Sequence, residues 1–484
     1  MPAFDNALFL STLGLIGAVI VVSALFSGLV ERSGLPQVAI FLALGAMIGP
    51  LGLGLLDAGI QSPILRIVST LSLVLVLFTD AVSLNLKEVR KHRRLAFLVI
   101  GPGTLMSAVL VALAGYWLLH LSVPMSLILA AALASTDPVL LRGLLRWPGL
   151  PANVKQALRL ESGMNDAVLL PIVQVAMIVV AKGQGLTGME WTQVGVKILV
   201  LSPVAGAIVG LGAIGLLEFF RRRIGVRRDY ESIYSIGVAF AAFAAAESIH
   251  GSGFLAAFAA GLTISSIDTE LCDCFLEYGE TTAEMMLLFT FVLFGTSIIW
   301  TGLGVIGPAT IAFTVLAFLL RPAAFLPALL AARIDLRDRL LIGWFGPKGL
   351  SSLLLVLLPV FAGITGSSQV LTICCLVVLC SVVAHGLSPH LILPRIRPPS
   401  TSALVSEPAP QNLTLPDRTL TLEQFNELRR AGTAVTLIDS RTGRAFDESG
   451  EIIPSAVRVH PDRAVQEAKA SGMPREAVLA VFCA

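Results

Sequence analysis

The sequence predicts an all-α membrane protein that crosses the bilayer about thirteen times and ends in a small soluble α/β segment. Of its 484 residues, 55% are hydrophobic and only 14% are charged, whereas soluble domains carry roughly 25% charged residues. The apolar residues form stretches of about 20, each long enough to cross the hydrocarbon core of about 30 Å. From residue 395 the sequence turns polar and proline-rich, so the membrane pattern ends there.

The apolar stretches set the predicted spans. They cover residues 7–30, 35–56, 63–85, 95–119, 122–145, 154–181, 190–219, 229–248, 251–267, 281–300, 304–332, 338–362 and 367–393. The first has no basic segment before it and no small-residue cleavage site after it, so we expect a retained helix rather than a signal peptide.

Basic residues are concentrated in alternate loops. One set of loops holds Arg32, Lys87, Arg90, Lys91, Arg93, Arg94, Arg142, Arg146, Lys155, Arg159, Arg221, Arg222, Arg223, Arg227, Arg228, Arg333, Arg337 and Arg339. The other set has little beyond Arg66, Lys182 and Lys197. The positive-inside rule then predicts a multi-pass protein of the plasma (inner) membrane, with the N-terminus outside and the C-terminus in the cytoplasm. The acidic stretch 268–280 is expected to be one of the cytoplasmic loops.

Two predicted spans contain helix breakers. Span 5 holds Thr136-Asp137-Pro138 and span 12 holds Gly346-Pro347-Lys348-Gly349. Proline lacks an N–H group and disfavours helical geometry in the preceding residue. Such a break is tolerated in a membrane where the freed backbone faces protein or a water-filled site. The odd offset of seven spans predicts inverted repeats, spans 1–6 matching 8–13, with two discontinuous crossing helices. Ordinary proline kinks are the alternative.

Three carboxylates, those of Asp137, Glu161 and Asp166, lie inside spans 5 and 6. A charge near the bilayer centre costs about 2.5–3.5 kcal/mol on insertion scales, so such residues mark ion or proton paths. Ser162 and Asp166 are four residues apart and share a helix face. We expect them to point at the break in span 5, where Thr136 and freed carbonyls add oxygen ligands for a small dehydrated cation. Asp166 can bind a proton instead, so the site would carry cation or proton but not both.

Five segments resemble the signature segments of monovalent cation:proton antiporters of the NhaP/NHE type. They are Leu77–Ala81, Ser135–Pro138, Glu161–Asp166, Gly253–Leu262 and Trp344–Leu350, and the likeness runs in order over residues 7–393. The resemblance implies an inverted-repeat fold with a dimerisation domain and an ion-carrying core domain, assembled as a homodimer. It implies a transporter rather than an enzyme, exchanging Na⁺, or alternatively K⁺ or Li⁺, for H⁺. No cofactor and no nucleic-acid partner are expected; the partners are the lipid bilayer, monovalent cations and protons.

The resemblance also implies residue roles. Asp166 matches the ion-binding aspartate, Asn165 the asparagine before it, and Thr136 to Pro138 the family's TDP residues. Glu161 matches a glutamate that pairs with an arginine of a later span, here Arg321. Because Asn165 stands where a second aspartate could, the analogy favours electroneutral one-for-one exchange.

Three further residues have alternative interpretations. Lys348 stands where the family has arginine; it keeps the charge but cannot form a planar bidentate fork, which puts the pH response in doubt. Asp80, near the cytoplasmic end of span 3, is either an ion-access residue or a solvated helix end. His385 is either a pH sensor or a hydrogen-bonded histidine inside span 13.

The chain is predicted to divide into a membrane domain at 1–394, a linker at 395–414 and a soluble segment at 415–484. In the last segment, helical patterns at 421–431 and 464–470 alternate with buried strands at 434–438 and 477–482, which indicates an α/β fold.

The soluble segment resembles part of a rhodanese domain. Residues 437–441 and 450–456 match its opening strand and GHIPGA-type segment, with Glu451 in place of histidine, and residues 481–483 match the strand leading to its cysteine, here Cys483. A rhodanese cysteine is activated by N–H groups of the loop that follows it. The sequence stops one residue after Cys483, so sulfur transfer is not expected.

Two other function classes stay open at this point. A membrane-anchored sulfurtransferase would use the tail, but it explains neither the paired breaks nor the acids within the membrane. A passive cation channel would conduct without saturable exchange, and the sequence contains no evident repeated pore-loop filter.

Overall fold

The computed structural model describes residues 37–392 except 57, 85, 146, 148–149, 183–186, 225–227, 268 and 333. It also describes residues 14, 17, 21, 425, 430, 435–439, 456–459 and 478–482. Two compact units are present, Met1–Ser400 and Thr401–Ala484. The first predicted span and Cys483 therefore lie outside the described residues, apart from the helical residues 14, 17 and 21 of that span.

The regular structure in the described part of the first unit is helical. Its helices are α1 (Gln37–Ile48), α2 (Pro63–Ser83), α3 (Leu86–Lys91), α4 (Arg93–Leu119), α5 (Val123–Ala134), α6 (Pro138–Leu145), α7 (Ala152–Lys182), α8 (Gly188–Arg223), α9 (Arg228–Ser248), α10 (Gly253–Ile267), α11 (Thr269–Thr296), α12 (Pro308–Ala328), α13 (Leu336–Trp344), α14 (Leu350–Phe361) and α15 (Ser367–Ile392). Short π-helical turns interrupt α4 and α8, and 3₁₀ turns occupy Ile298–Val305 and Leu329–Ala332.

Many of these helices are long and apolar enough for a bilayer. Among the described residues seven meet that test, or eight if Thr282–Thr296 and the bent Ile298–Val305 form one span. Shorter apolar helices add Gln37–Ile48, Ile233–Ser248, Gly253–Ile267 and Leu350–Phe361. The fold is therefore a mostly helical polytopic membrane fold, and the count of thirteen stays a prediction.

One boundary differs from the prediction. The acidic stretch 268–280, expected to be a loop, is helical from Thr269 onward as the first part of α11. The loop is predicted because the apolar stretch ends where the acidic residues begin. Glutamate is nevertheless a good helix former. The helix can therefore continue past the point at which the hydrophobic pattern stops.

The helices pack in two sets. One set contains α1, α2 and α8 to α11, and the other contains α4, α5, α7 and α12 to α15. Small residues allow close approach within a set: a Cβ added at Gly206 of α8 would collide with the backbone of Ala256 in α10. Such small-residue contacts are usual between helices in membranes. The sets meet where α2 contacts α7 and α14.

The second unit contains a three-stranded parallel sheet. Its strands are β1 (Val435–Asp439), β2 (Val457–Arg458) and β3 (Val478–Phe482), in the order β2-β1-β3. The two predicted strands are confirmed, each within a residue of its expected bounds. The predicted helix at 464–470 lies outside the described residues, as does most of that at 421–431.

Candidate functional site

Two helix breaks meet inside the membrane unit. Residues 135–137 separate α5 from α6, and residues 345–349 separate α13 from α14. The backbone N–H of Asp137 donates to the carbonyl oxygen of Pro347 at 2.9 Å. The two interruptions are therefore bonded to each other, because a backbone N–H of the first break donates to a backbone carbonyl of the second.

The carboxylate of Asp137 holds the two breaks together. Its Oδ1 accepts the backbone N–H groups of Val139 at 2.8 Å and Leu140 at 3.3 Å, at the start of α6. Its Oδ2 accepts the N–H of Leu350 at 2.6 Å, at the start of α14. Both oxygens thus satisfy N–H groups that a helix start leaves unbonded. Gly349 is required beside them, since an added Cβ would collide with this carboxylate.

Asp166 of α7 faces the first break. Its side chain is 3% exposed, and its Oδ1 accepts the hydroxyl of Ser135 at 2.5 Å. The side chain of Ser351, near the start of α14, also lies close to this carboxylate. Asp166 forms no ion pair with any residue in the described part of the chain. Among the described residues, the hydrogen bond to this buried carboxylate therefore comes from a hydroxyl group at the first break.

Asn165 lies beside Asp166 and is fully buried. Its amide nitrogen donates to Thr136 Oγ1 at 2.8 Å. Its amide oxygen has no hydrogen-bond partner among the described residues. An orphaned buried oxygen next to a carboxylate and two hydroxyls offers the kind of ligand that a dehydrated cation uses.

Ser162 is buried one turn before Asp166, as its spacing predicts. Its hydroxyl donates to the carbonyl oxygen of Arg159 on its own helix at 3.4 Å. The described contacts thus bring Thr136, Asn165 and Asp166 together, while those of Ser162 stay within α7.

Lys348 brings a positive charge to the second break. It is 2% exposed, and its Nζ donates to the carbonyl oxygen of Ser135 at 3.3 Å. Glu161, Asp166 and Arg321 lie near enough for their charges to act on the Lys348 side chain. The Nζ of Lys348 is therefore bonded to a neutral backbone carbonyl, and among the described residues it forms no ion pair with Asp166.

Glu161 and Arg321, which the sequence analysis pairs, form a bidentate ion pair. Arg321 Nη1 lies 2.5 Å from Glu161 Oε1, and Arg321 Nη2 lies 2.7 Å from Glu161 Oε2. Both residues are buried: Arg321 is 3% exposed and Glu161 is 0% exposed. The guanidinium also donates to the carbonyl oxygen of Ile342 at 3.3 Å and lies 4.4 Å from the ring centre of Phe325. This carboxylate is fully engaged with a counter-charge.

Asp80 lies one turn before the end of α2 and is half-buried. Its backbone carbonyl accepts the hydroxyl of Ser83 at 3.0 Å. Its position beside the α2–α7 contact suits either interpretation that the sequence left open.

Sequence reasoning missed Ser351 and gave Ser135 no role. Both signals were present in the motifs themselves, since Ser135 opens the first break and Ser351 follows the second by two positions. A hydroxyl at the edge of a helix break can face the same site as the backbone groups of that break, as Ser135 does toward Asp166.

The membrane part of the chain is similar to known proteins. The family described as "Sodium/hydrogen exchanger, transmembrane" matches residues 19–394. The K⁺/H⁺ antiporter NhaP of Alkalimonas amylolytica is 25% identical over 382 residues, covering 78% of this chain and 65% of that protein. The chain thus spans somewhat less than two thirds of the length of this relative. The Na⁺/H⁺ antiporter NhaH of Halobacillus dabanensis is 28% identical over 303 residues, covering 59% of this chain and 72% of that protein.

A solved structure shares the fold. The sodium proton antiporter MjNhaP1 from Methanocaldococcus jannaschii superposes with a TM-score of 0.65 at 17% identity. The match covers 78% of this chain and 99% of the other. Because the family match extends over most of the chain and ends where the membrane unit ends, the protein belongs to the sodium/hydrogen exchanger family.

Proposed function

We propose that this protein is a secondary antiporter that exchanges a monovalent cation for H⁺ by competition at Asp166. The proposal rests on the difference among three buried carboxylates. Glu161 is neutralised by Arg321, and Asp137 accepts three backbone N–H groups. Among the described residues, the carboxylate of Asp166 accepts a hydrogen bond from the Ser135 hydroxyl and forms no ion pair. It is the acid whose charge is left for a transported ion.

The groups around Asp166 suit two occupants. A hydroxyl both donates and accepts, so Ser135 and Ser351 can donate to an empty carboxylate and turn their lone pairs toward a bound cation. The free amide oxygen of Asn165 supplies a further ligand. A proton on Asp166 removes the negative charge that the cation needs, so each occupant excludes the other. Ser162, Thr136 and the break carbonyls complete the proposed ligand set.

Asp137 was predicted among the ion ligands, and we assign it a different role. Both of its oxygens already accept backbone N–H groups, which they would lose on turning to an ion. Leaving a buried N–H unbonded costs about 1–3 kcal/mol. We therefore propose that Asp137 holds the two breaks, while Asp166 carries the ion.

The transported cation is proposed to be Na⁺ or K⁺, with Na⁺ as the sequence expectation and Li⁺ as a further alternative. The named relatives include a K⁺/H⁺ and a Na⁺/H⁺ antiporter. Because Asn165 is neutral, one negative charge serves the exchange, and we propose electroneutral one-for-one stoichiometry.

The membrane arrangement is proposed as thirteen spans in inverted repeats, with spans 5 and 12 broken and crossing. The contact between the two breaks supports this arrangement. We further propose a homodimer in the plasma (inner) membrane, with the N-terminus outside and the tail in the cytoplasm, from the basic loops and the family resemblance.

The tail is proposed to be a partial rhodanese-like module. The parallel order β2-β1-β3 supports an α/β fold. In the sequence Cys483 directly follows β3, whose last residue pairs with Asp439 of β1.

Transport by purified protein in liposomes tests the central proposal. With an internal pH dye and imposed Na⁺ or K⁺ gradients, we expect saturable proton movement with the parent protein. Asp166→Asn should abolish it, because the amide can neither take up the proton nor offer a negative charge. The matched control is Asp335→Asn, the same substitution at an exposed residue at the start of α13.

The same experiment separates the alternatives. Near-parental exchange by the purified, folded Asp166→Asn protein would show that the site is wrong. Cation flux that continues without proton movement and does not saturate would identify a channel. A membrane potential generated during exchange would contradict the electroneutral stoichiometry.

A further inference from the structure

Helix α15 carries a buried polar stripe that the proposed exchange does not yet use. Ser381, His385 and Ser388 follow each other at intervals of four and three residues and lie on one helix face. All three are buried. Polar side chains within the membrane are costly unless they are hydrogen-bonded, so their bonding partners indicate what the stripe does.

The stripe bonds the chain on both sides of the second break. The backbone N–H of Lys348 donates to Ser381 Oγ at 2.7 Å, and Ser381 Oγ lies 3.0 Å from His385 Nδ1. On the other side, His385 Nε2 lies 3.1 Å from the carbonyl oxygen of Trp344, the last residue of α13. The indole N–H of Trp344 donates to Ser388 Oγ at 3.1 Å. Thus α15 fixes the residue before the break and a residue inside it.

Each ring nitrogen lies within hydrogen-bond distance of a carbonyl oxygen, Nε2 at 3.1 Å from that of Trp344 and Nδ1 at 3.2 Å from that of Ser381. A carbonyl oxygen can only accept, so a ring nitrogen bonds one only when it carries a hydrogen. Because the Lys348 N–H occupies a lone pair of Ser381 Oγ, the hydroxyl hydrogen of Ser381 is available for Nδ1. A neutral imidazole with its hydrogen on Nε2 accepts the Ser381 hydroxyl at Nδ1, whereas a hydrogen on Nδ1 bonds the Ser381 carbonyl; in both cases the ring stays bonded to Ser381. The rings of Phe318 and Trp344 pack against the imidazole with centroids 5.6 Å away.

The second break is in turn connected to Asp166. Lys348 Nζ donates to the carbonyl oxygen of Ser135, and the hydroxyl of the same serine donates to Asp166. The chain of contacts therefore runs from His385 and Ser381 through the Lys348 backbone and side chain to the ion site.

We propose that Ser381 and His385 are positioning residues for cation binding. They hold the backbone of the second break so that the Lys348 ammonium stays on the Ser135 carbonyl rather than on the carboxylate of Asp166. This inference rests on the proposed function. Without the two bonds, the ammonium is free to move to the nearby negative charge, where it competes with the transported cation. His385 is thus the hydrogen-bonded histidine of the two alternatives that the sequence left open, and its bonds hold the backbone of the second break.

The test compares the apparent KM for the cation with the maximal rate in liposomes. His385→Phe keeps a ring between Phe318 and Trp344 but removes both nitrogens, and Ser381→Ala removes the hydroxyl. Each should raise the KM for Na⁺ and K⁺ roughly fivefold or more, the size expected from losing one buried hydrogen bond. The maximal rate per folded protein should change less. Thr372→Ala is the matched control, because the hydroxyl of this partly buried residue donates to the Ser368 carbonyl of its own helix.

A rescue variant distinguishes positioning from general packing. His385→Gln places an amide N–H about where Nε2 lies, so it should keep the bond to Trp344 and return the KM most of the way to the parental value. Folded fraction is measured for every variant by size-exclusion chromatography and helical circular dichroism. Should His385→Phe not fold, Ser381→Ala decides the question alone.

Reduced yield or stability with a parental KM in the folded fraction would make the stripe merely structural and overturn the inference. That result leaves the proposed exchange intact as long as Asp166→Asn is inactive. Exchange by Asp166→Asn, in contrast, would remove the proposed function itself, so the two failures are distinguishable.

Discussion

At the scale of single residues, the molecule separates three buried acids by what touches them. Glu161 has a guanidinium, Asp137 has three backbone N–H groups and Asp166 has the Ser135 hydroxyl. Burial alone would make all three costly. Glu161 and Asp137 are thus engaged in contacts that support the fold, and Asp166 is the acid that we propose carries the exchanged ion.

The ion pair of Glu161 with Arg321 gives a prediction on stability. Neutralising one partner leaves a buried charge without its counter-charge, at a cost of about 3–5 kcal/mol. Glu161→Gln and Arg321→Gln should each lower the melting temperature in detergent. The double variant should regain part of the loss, because neither charge then remains. Melting followed by fluorescence on all four proteins measures the coupling.

Strictly additive losses in the double variant would contradict a direct interaction between the two side chains. Arg222→Gln, which breaks the exposed pair with Glu218 on α8, is the matched control. It should change the melting temperature little, since exposed pairs contribute roughly 0–1 kcal/mol.

At the scale of elements, the two broken helices form one unit because a single carboxylate bonds the starts of α6 and α14. Gly349 makes that approach possible. Gly349→Ala would drive a methyl group into the Asp137 carboxylate, and overpacking of this kind costs about 1–3 kcal/mol. We expect lower stability and a lower exchange rate per folded protein.

Gly143→Ala provides the comparison for that prediction. It makes the same change in the neighbouring half-helix α6, where an added Cβ meets nothing within 4 Å. Its stability should stay the same or rise slightly, because alanine favours helix over glycine by about 0.8–1 kcal/mol. Equal behaviour of the two variants in melting and transport assays would contradict the close contact at Gly349.

The sequence predicted the positions of both breaks, because proline and glycine within an apolar run leave a local signal. It also predicted that Asp166 would point at the first break, and there the carboxylate accepts the hydroxyl of Ser135. The hydrogen bond of Ser162, predicted to point the same way, stays within its own helix. It could not predict the bond from Asp137 to Leu350, which lies 213 positions away. Nor could it place Ser351 near Asp166 or Ser381 on Lys348, because spacing within one helix says nothing about which face of another helix it meets.

At the scale of the whole molecule, every contact proposed for exchange lies within Met1–Ser400. A chain ending after residue 400 should therefore exchange cations for protons at the parental rate per folded protein, although expression or pH dependence can shift. The full-length protein, purified in parallel and assayed in the same liposomes, is the control. Loss of exchange by a stable, correctly sized truncated protein would show that the tail takes part in transport.

The shared carboxylate of Asp137 also bears on how the protein is made. Its Oδ1 can bond the start of α6 as soon as residue 140 has been synthesised, but its Oδ2 needs the N–H of Leu350. A nascent chain whose spans are inserted in order therefore has no complete ion site until the second break arrives in the membrane. Unfinished chains lack the contact between the two breaks, so on the proposed mechanism the cell is not exposed to a working pathway for cations before the whole membrane unit has been assembled.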